Sequence, residues 1–360
     1  MIEKLIPKQD RKFSDVKELQ DSTLPLVMYG AGSYAEDVAR FLIKHGISLS
    51  GCFIDDTYYK PDEYLMNKIE VSSAKTIEER FGSYNVVIGF SDYKRARKNL
   101  GGLHNTNAIY FIDAPNQFGF IDYEYIKAHQ EQFEQTYDLL EDDVSKEIFI
   151  AFLNAKMSGD PSPLYQYAEF NQYFNTLVRL TDHESFVDCG AFDGDTIQAF
   201  LSATNAKYTN IIALEPDTNN FENLSRNVLQ HPNIELYNKA CWSSSGKLHF
   251  SSEANVASLV ASGGSLVEVE KIDTIADGRK ITFIKMDIEG AELEALKGAH
   301  ETISAHAPKL AICAYHRPED LITLPQYIKM INDEYKFYLR HHQYMSWEMV
   351  LYALPPGDAS

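Results

Sequence analysis

Cysteine is scarce in this chain, tryptophan is scarcer, and no long apolar run occurs. The four cysteines, Cys52, Cys189, Cys241 and Cys313, lie far apart, and no two form a C-x-x-C pair. That spacing argues against a zinc site and against disulfides, and it predicts buried, reduced thiols in a cytoplasmic protein. With no uninterrupted apolar stretch of about 20 residues, no membrane-spanning helix is expected. The opening MIEKLIPK has no apolar core of the kind a signal peptide needs. Basic residues are also outnumbered, with 33 Lys plus Arg against 52 Asp plus Glu and a formal net charge of −19. A surface that negative repels phosphate backbones, so nucleic acid is not an expected partner. Internal repeats, low-complexity tracts and lipidation motifs are lacking too.

What is present suits two globular domains. The 360 residues exceed one ordinary core, and 44% hydrophobic with 24% charged residues is folded-protein composition. Residues 25–30 (PLVMYG) read as a strand ending in glycine, and 33–45 carry apolar residues at helical spacing. Residues 49–56, 86–90 and 108–112 read as further strands. Residues 123–180 have helical periodicity broken at GDPSP. From residue 185, strands at 186–190, 210–215, 233–240, 281–287 and 309–316 alternate with helices at 193–202, 219–230, 291–304 and 318–333. Residues 247–251 and 258–260 read as an inserted β segment, and 336–354 as a terminal hairpin. The expected organisation is a Rossmann-like domain of nucleotide- or sugar-binding type at 1–120, a helical connector at 121–180, and a larger α/β domain at 181–360.

Three motifs of the larger domain carry chemistry. In FVDCGAFDGDT a strand runs into a glycine turn that opens a helix, whose unpaired N–H groups suit a polar ligand. The candidate contacts are Asp188, Gly190, Asp193, Gly194, Asp195 and Thr196. In IIALE the next strand ends in Glu215, where a carboxylate can accept both ribose hydroxyls of an adenosine ligand. The acid alone would serve NAD as well as S-adenosylmethionine. In IKMDIEGAE, Asp287 and Glu289 lie just past a strand end, placed to hold an amino group or to act as general base. Glu292 reads as a helix-capping acid. His316 ends the strand LAICAY and is a further candidate base, or a structural histidine before Pro318. Asp287, Glu289 and His316 could instead hold a divalent cation, but no dedicated metal spacing occurs and no metal is expected. Arg340, His341 and His342 face an anionic acceptor or form an exposed strand.

The segments FVDCGAFDGDT, IALEPD, IKMDIEGAELEALKGA, CAYHRPEDL, YLRHH and WEMVLY, in that order, resemble the FkbM family of methyltransferases, as does the lead-in QYF at 172–174. The resemblance implies a class I, Rossmann-like sheet with a terminal antiparallel hairpin. It also implies S-adenosylmethionine as cofactor and methyl transfer to an oxygen of a sugar, polyketide or lipid. The first motif departs from the commoner G-A-N-x-G form, with Phe192 where Asn would stand.

The first domain carries its own turn, GAGSYA, with Gly30, Gly32 and Ser33, and Asp55 ends the following strand. That is the outline of a dinucleotide fingerprint. The stretch also resembles the small N-terminal domain of bacterial sugar O-acyltransferases. It reads as a site for a nucleotide-sugar or glycan acceptor, as an NAD site, or as a scaffold. No Tyr-x-x-x-Lys pair follows, which disfavours a complete oxidoreductase. The partner expected is therefore a small-molecule or glycan acceptor, and the oligomeric state is open, a homodimer among the options. An NAD-linked sugar-modifying oxidoreductase and a non-catalytic ligand-binding protein are the competing functions.

Overall fold

The computed structural model describes residues 11–90, 92–112, 121–250 and 265–358, together with residues 2, 6 and 119. The chain divides into two compact units. Unit 1 comprises Met1–Gln130, Ile150–Ala168 and Gln343–Ser346, and unit 2 comprises Glu131–Phe149, Glu169–His342 and Trp347–Ser360.

In unit 1, α1 (Arg11–Asp21) precedes β1 (Leu26–Tyr29), α2 (Ser33–Lys44), β2 (Gly51–Ile54), β3 (Tyr64–Leu65) and β4 (Ile69–Ser73). Then come α3 (Ala74–Arg80), β5 (Tyr84–Ile88), α4 (Tyr93–Leu100), β6 (Thr106–Phe111) and α5 (Tyr123–Ala128). The sheet order is β3-β4-β2-β1-β5-β6, parallel except for β3 against β4. Helix α2 buries Ala35, Val38, Ala39, Phe41 and Leu42, a stripe at three- and four-residue spacing, against Met28, Cys52 and Val87 of the sheet.

The chain continues through α6 (Gln130–Leu139), α7 (Asp143–Ser158) and a 3-10 turn at Ser162–Tyr167. The division between units falls inside α7. Unit 2 then builds β7 (Ser185–Cys189), α8 (Asp195–Ala203), β8 (Asn210–Leu214), α9 (Thr218–Val228) and β9 (Ile234–Tyr237). A small three-stranded sheet follows, from β10 (Ala240–Cys241), β11 (Gly246–Phe250) and β12 (Ser265–Glu270). The strand expected at 258–260 lies outside the described residues. After α10 (Ile272–Ala276) come β13 (Phe283–Met286), α11 (Glu292–Lys297), α12 (His300–His306), β14 (Lys309–Cys313), α13 (Asp320–Ile331), β15 (Lys336–His341) and β16 (Met349–Leu354).

The main sheet has the order β15-β16-β14-β13-β7-β8-β9. Its members from β9 to β14 are parallel, and β16 is antiparallel to both β14 and β15. This is the Rossmann-like sheet with a terminal antiparallel hairpin that the sequence pattern predicts. Strands β7, β13, β14 and β16 are buried along their whole length, as apolar strands covered on both faces must be. The core gathers Phe186, Phe200, Phe283, Ala311, Val350 and Tyr352. The single helix expected at 291–304 is two helices. At Gly298 the Trp242 carbonyl oxygen would lie 2.0 Å from an added Cβ, so the chain breaks at the one residue that permits that approach. No helix among the described residues is long and apolar enough to cross a membrane.

Candidate active site

Strand order reverses between β7 and β13, and the crevice at the carboxyl ends of such strands is where open α/β sheets bind ligands. There the turns after β7 and β13 touch. Gly190, at φ +79°, would place a Cβ 2.0 Å from the Asp287 carbonyl oxygen, so only glycine fits. The amides of Gly190 and Ala191 both donate to the Leu214 carbonyl at 3.0 Å. Phe192 is left-handed, at φ +47°, and 53% exposed. Gly194, at φ +92°, caps α8. Asp195 turns its carboxylate back onto the Thr196 amide at 2.6 Å, and the Asp193 carbonyl accepts from Asn227 at 2.8 Å.

Glu215 is buried at the end of β8, directly under this turn. One carboxylate oxygen accepts the Phe192 amide and the other the Asp217 amide, each at 2.9 Å, while Asn238 donates to the Glu215 carbonyl at 2.8 Å. Burial raises the Glu215 carboxyl above its ordinary range. A different pair supports the turn from below. Asp188 is fully buried, with the Lys285 ammonium 3.0 Å away, and Lys285 also donates to the Gly190 carbonyl at 2.7 Å. The expectation that the Asp188 side chain meets a ligand is thus corrected: its carboxylate points inward to a lysine planted in the middle of β13. Burial lifts the Asp188 carboxyl to about 6 despite Lys285, whereas Asp188 and Asp287 hold the Lys285 ammonium above its ordinary value despite burial.

Past β13 and β14 the structure brings Asp287, Glu289 and His316 together. His316 Nδ1 lies 2.9 Å from Glu292 Oε1, and Nε2 lies 3.6 Å from Asp287 and 3.7 Å from Glu289. Burial alone would depress the imidazole, but the carboxylates of Glu292, Asp287 and Glu289 override it and push His316 up to about 10. The surrounding carboxylates thus favour the protonated imidazole. Glu292 is fully buried and also accepts the Ile288 amide at 3.0 Å, so it anchors His316 rather than serving only as a helix-end acid.

Gln172, Tyr173, Tyr315 and Glu348 complete the cluster, and the sequence reading gave none of them a role at the site. The Tyr173 hydroxyl donates to Asp287 at 3.0 Å, and Glu348 accepts from Gln172 at 2.7 Å and from the Tyr315 hydroxyl at 3.3 Å. Burial raises the Glu348 carboxyl, as does Asp287. The donor atoms of Asp287, Cys313 and Glu348 lie within 4.8 Å of one another. That grouping shares only Asp287 with the Asp287, Glu289 and His316 set considered from sequence.

Residues 188–345 match the family model described as the methyltransferase FkbM domain. Among solved structures, the chain is similar to methyltransferase FkbM from Methylobacillus flagellatus KT. The TM-score is 0.77 and the identity 26%, over 97% of this chain and 94% of that one. The likeness therefore runs through unit 1 as well. An rRNA methylase from Streptococcus thermophilus (TM-score 0.34, 14% identity, 49% of this chain and 88% of that one) and Aeropyrum pernix fibrillarin (TM-score 0.32, 10% identity, 51% and 73%) are far more distant. No curated protein sequence matches the chain.

Elsewhere in unit 2, Arg340, His341 and His342 are buried, so neither sequence reading of them holds. Arg340 donates to Asp142 at 2.7 Å and to Ser145 at 3.0 Å. His342 meets the Glu169 carbonyl at 2.8 Å and the Tyr352 hydroxyl at 2.9 Å, and burial lowers its pKa to about 4. These residues tie the hairpin into its own unit. In unit 1, Gly30 at φ +118° passes so close to Gly89 that a Cβ would sit 2.2 Å from its carbonyl oxygen. Gly32 caps α2, and Ser33 begins it, with no side-chain cap. Asp55 accepts the Tyr29 hydroxyl at 2.7 Å and the Asn99 amide at 3.0 Å, so both carboxylate oxygens already hold a neighbour.

Proposed function

We propose that the protein is an S-adenosylmethionine-dependent methyltransferase acting on a hydroxyl oxygen of a sugar, nucleotide-sugar or related biosynthetic intermediate. The observation that carries this reading is the buried Glu215 carboxylate beneath the Gly190–Gly194 turn. Each of its oxygens accepts one backbone N–H and the Asn220 side chain adds a further hydrogen bond, so that of about four acceptor sites at least one is left for a ribose hydroxyl. The glycines let the turn pack directly on the Asp287 carbonyl and on Leu224, which fixes it beside the end of β13. The residues present therefore fit an adenosine ligand, with Glu215 holding the ribose and the turn with Asp193, Asp195, Thr196 and Asp287 facing the amino-acid moiety.

When bound, this cofactor supplies an electrophilic methyl group on a sulfonium centre. The chain's own work is then to orient a hydroxyl and take up its proton. Glu289 is half-exposed, and desolvation, with Asp287 and Glu292 nearby, raises its carboxyl. Glu289 and Asp287 are the proton acceptors in this reading. His316, as imidazolium, positions both carboxylates from 3.6–3.7 Å. In unit 1, the start of α2, which no side chain caps, supports binding of a nucleotide or glycan portion of the acceptor at Gly30, Gly32, Ser33 and Asp55.

The test is calorimetric titration of S-adenosylhomocysteine into protein stripped of carried-over ligand, beside Glu215→Ala. Micromolar binding, about −8 kcal/mol, that disappears in the variant is expected. A folded wild-type protein that binds none refutes the reading.

A further inference from the structure

Beside the acid–imidazole cluster lies a cavity of about 260 Å³ between α11, α13 and the residue following β10. Its position is set by chain neighbours of the site: Gly290 follows Glu289, and Arg317 follows His316. The volume is below the roughly 300–1,000 Å³ of pockets that take drug-sized ligands, so it suits one ring rather than a nucleotide.

The walls have two characters. Trp242 and Leu293 supply an apolar surface. The indole stands on fixed backbone, because the Trp242 amide donates to the Glu270 carbonyl at 3.0 Å and its own carbonyl is packed on Gly298. Glu294, Arg317, Glu319 and Asp320 also line it. Each of these charges is already balanced. Glu294 pairs with Lys297 and accepts the Ser243 hydroxyl, and Arg317 lies 3.6 Å from Glu319. Asp320 is 1% exposed, accepts the Arg317 amide at 2.7 Å, and is kept toward its neutral form by burial and by Glu292.

A wall of carboxyl groups beside a guanidinium, without a net field of one sign, repels phosphate and offers little to a lone cation. It does offer acceptors and donors to neutral hydroxyl groups, while an indole packs the C–H face of a pyranose. We infer that this cavity is a carbohydrate subsite that holds one neutral pyranose ring, with Trp242 as the stacking platform and Glu294, Arg317 and Glu319 as hydroxyl partners. The assignment rests on the reading above only for its link to methyl transfer; the binding itself stands alone.

The experiment is saturation-transfer NMR on the full chain with a panel of methyl pyranosides (gluco, galacto, manno and N-acetylglucosamine), with choline as the cationic control. Calorimetry with S-adenosylhomocysteine is run on the same samples. At least one pyranoside should receive saturation. Its affinity should fall by roughly tenfold or more in Trp242→Ala and in Thr323→Trp, which fills the cavity from α13, and should return in Trp242→Phe. The inference fails if no pyranoside receives saturation from protein that binds S-adenosylhomocysteine, if choline alone does, or if both variants bind as wild type. Pyranoside binding without S-adenosylhomocysteine binding keeps the subsite and sinks the methyl-transfer reading instead.

Discussion

The imidazolium at the centre of three carboxylates makes the stability of unit 2 depend on pH in a window where few other groups titrate. His316 is raised from about 6.5 to about 10 in the folded state. The stability it contributes is therefore fully present below the ordinary value of about 6.5 and is lost as pH rises toward 10. Each pH unit inside the window removes about 1.4 kcal/mol, so raising pH from about 6.5 to 8 costs about 2 kcal/mol. His342, held near 4, and Asp188, near 6, act mainly at lower pH, while Asp320, raised by burial and by Glu292, shifts stability in the same direction as His316, so the difference between wild type and His316→Gln isolates the imidazole's share. Both tryptophans, Trp242 and Trp347, belong to unit 2, so urea unfolding followed by indole emission reports that unit. Between pH 6.5 and 8, wild type should lose about 2 kcal/mol more than His316→Gln. Equal slopes in the two proteins refute the argument. If the variant does not fold, carbon-detected titration of His316 in wild type decides the point: a midpoint near 6.5 contradicts the geometry.

Other perturbations follow from the same contacts. Lys285→Met strands the fully buried Asp188 and should cost about 3–5 kcal/mol by urea unfolding. Adding Asp188→Asn should restore more than half of that loss, and a double variant as weak as the single speaks against a pairing role. Phe192→Asn relieves a left-handed aromatic residue and should add about 1 kcal/mol, or roughly 2–4 °C in Tm; an unchanged or lower Tm would mean the ring makes contacts that outweigh the strain. Gly190→Ala drives a methyl into the Asp287 carbonyl and should cost more than about 3 kcal/mol while abolishing S-adenosylhomocysteine binding. Wild-type behaviour in both assays would show that the two turns can part.

The sequence was most legible where one strand decides its own environment. Runs such as FVDC and IIAL are buried whole in the sheet, and the glycine turn and Glu215 sit where strand-end logic puts them. The order of Asp287, Glu289 and His316 at adjacent strand ends was legible for the same reason, because β13 and β14 are parallel neighbours. What pairing across the chain decides was hidden. Tyr173 reaches Asp287 across more than a hundred residues, and Glu348 joins the cluster only because the hairpin returns beside β14. Lys285 did leave a trace, a lysine inside an otherwise apolar strand, and a buried cation there requires an acid such as Asp188 on the next strand. The role of Glu292 depended on which way its helix faces, and the His316 charge depended on three carboxylates that no linear pattern counts. In unit 1, the short β3 and β4 were missed because YL and IEVSS lack a sustained period.

β16 follows β15 in the chain yet is not the outer strand of its sheet. β16 lies between β14 and β15, and both partners precede it in the chain. A ribosome that has released β14 therefore exposes an apolar edge, LAIC, with no strand on that side, and β15 has only the Leu140–Phe337 bridge and Ser145 to hold it until β16 arrives. At roughly 5–20 residues per second, the wait for Met349–Leu354 is on the order of 2–8 s. Throughout that interval the half-built sheet is open to any strand that finds it, and closure arrives in one step when the final segment slides into the gap and satisfies both flanks together.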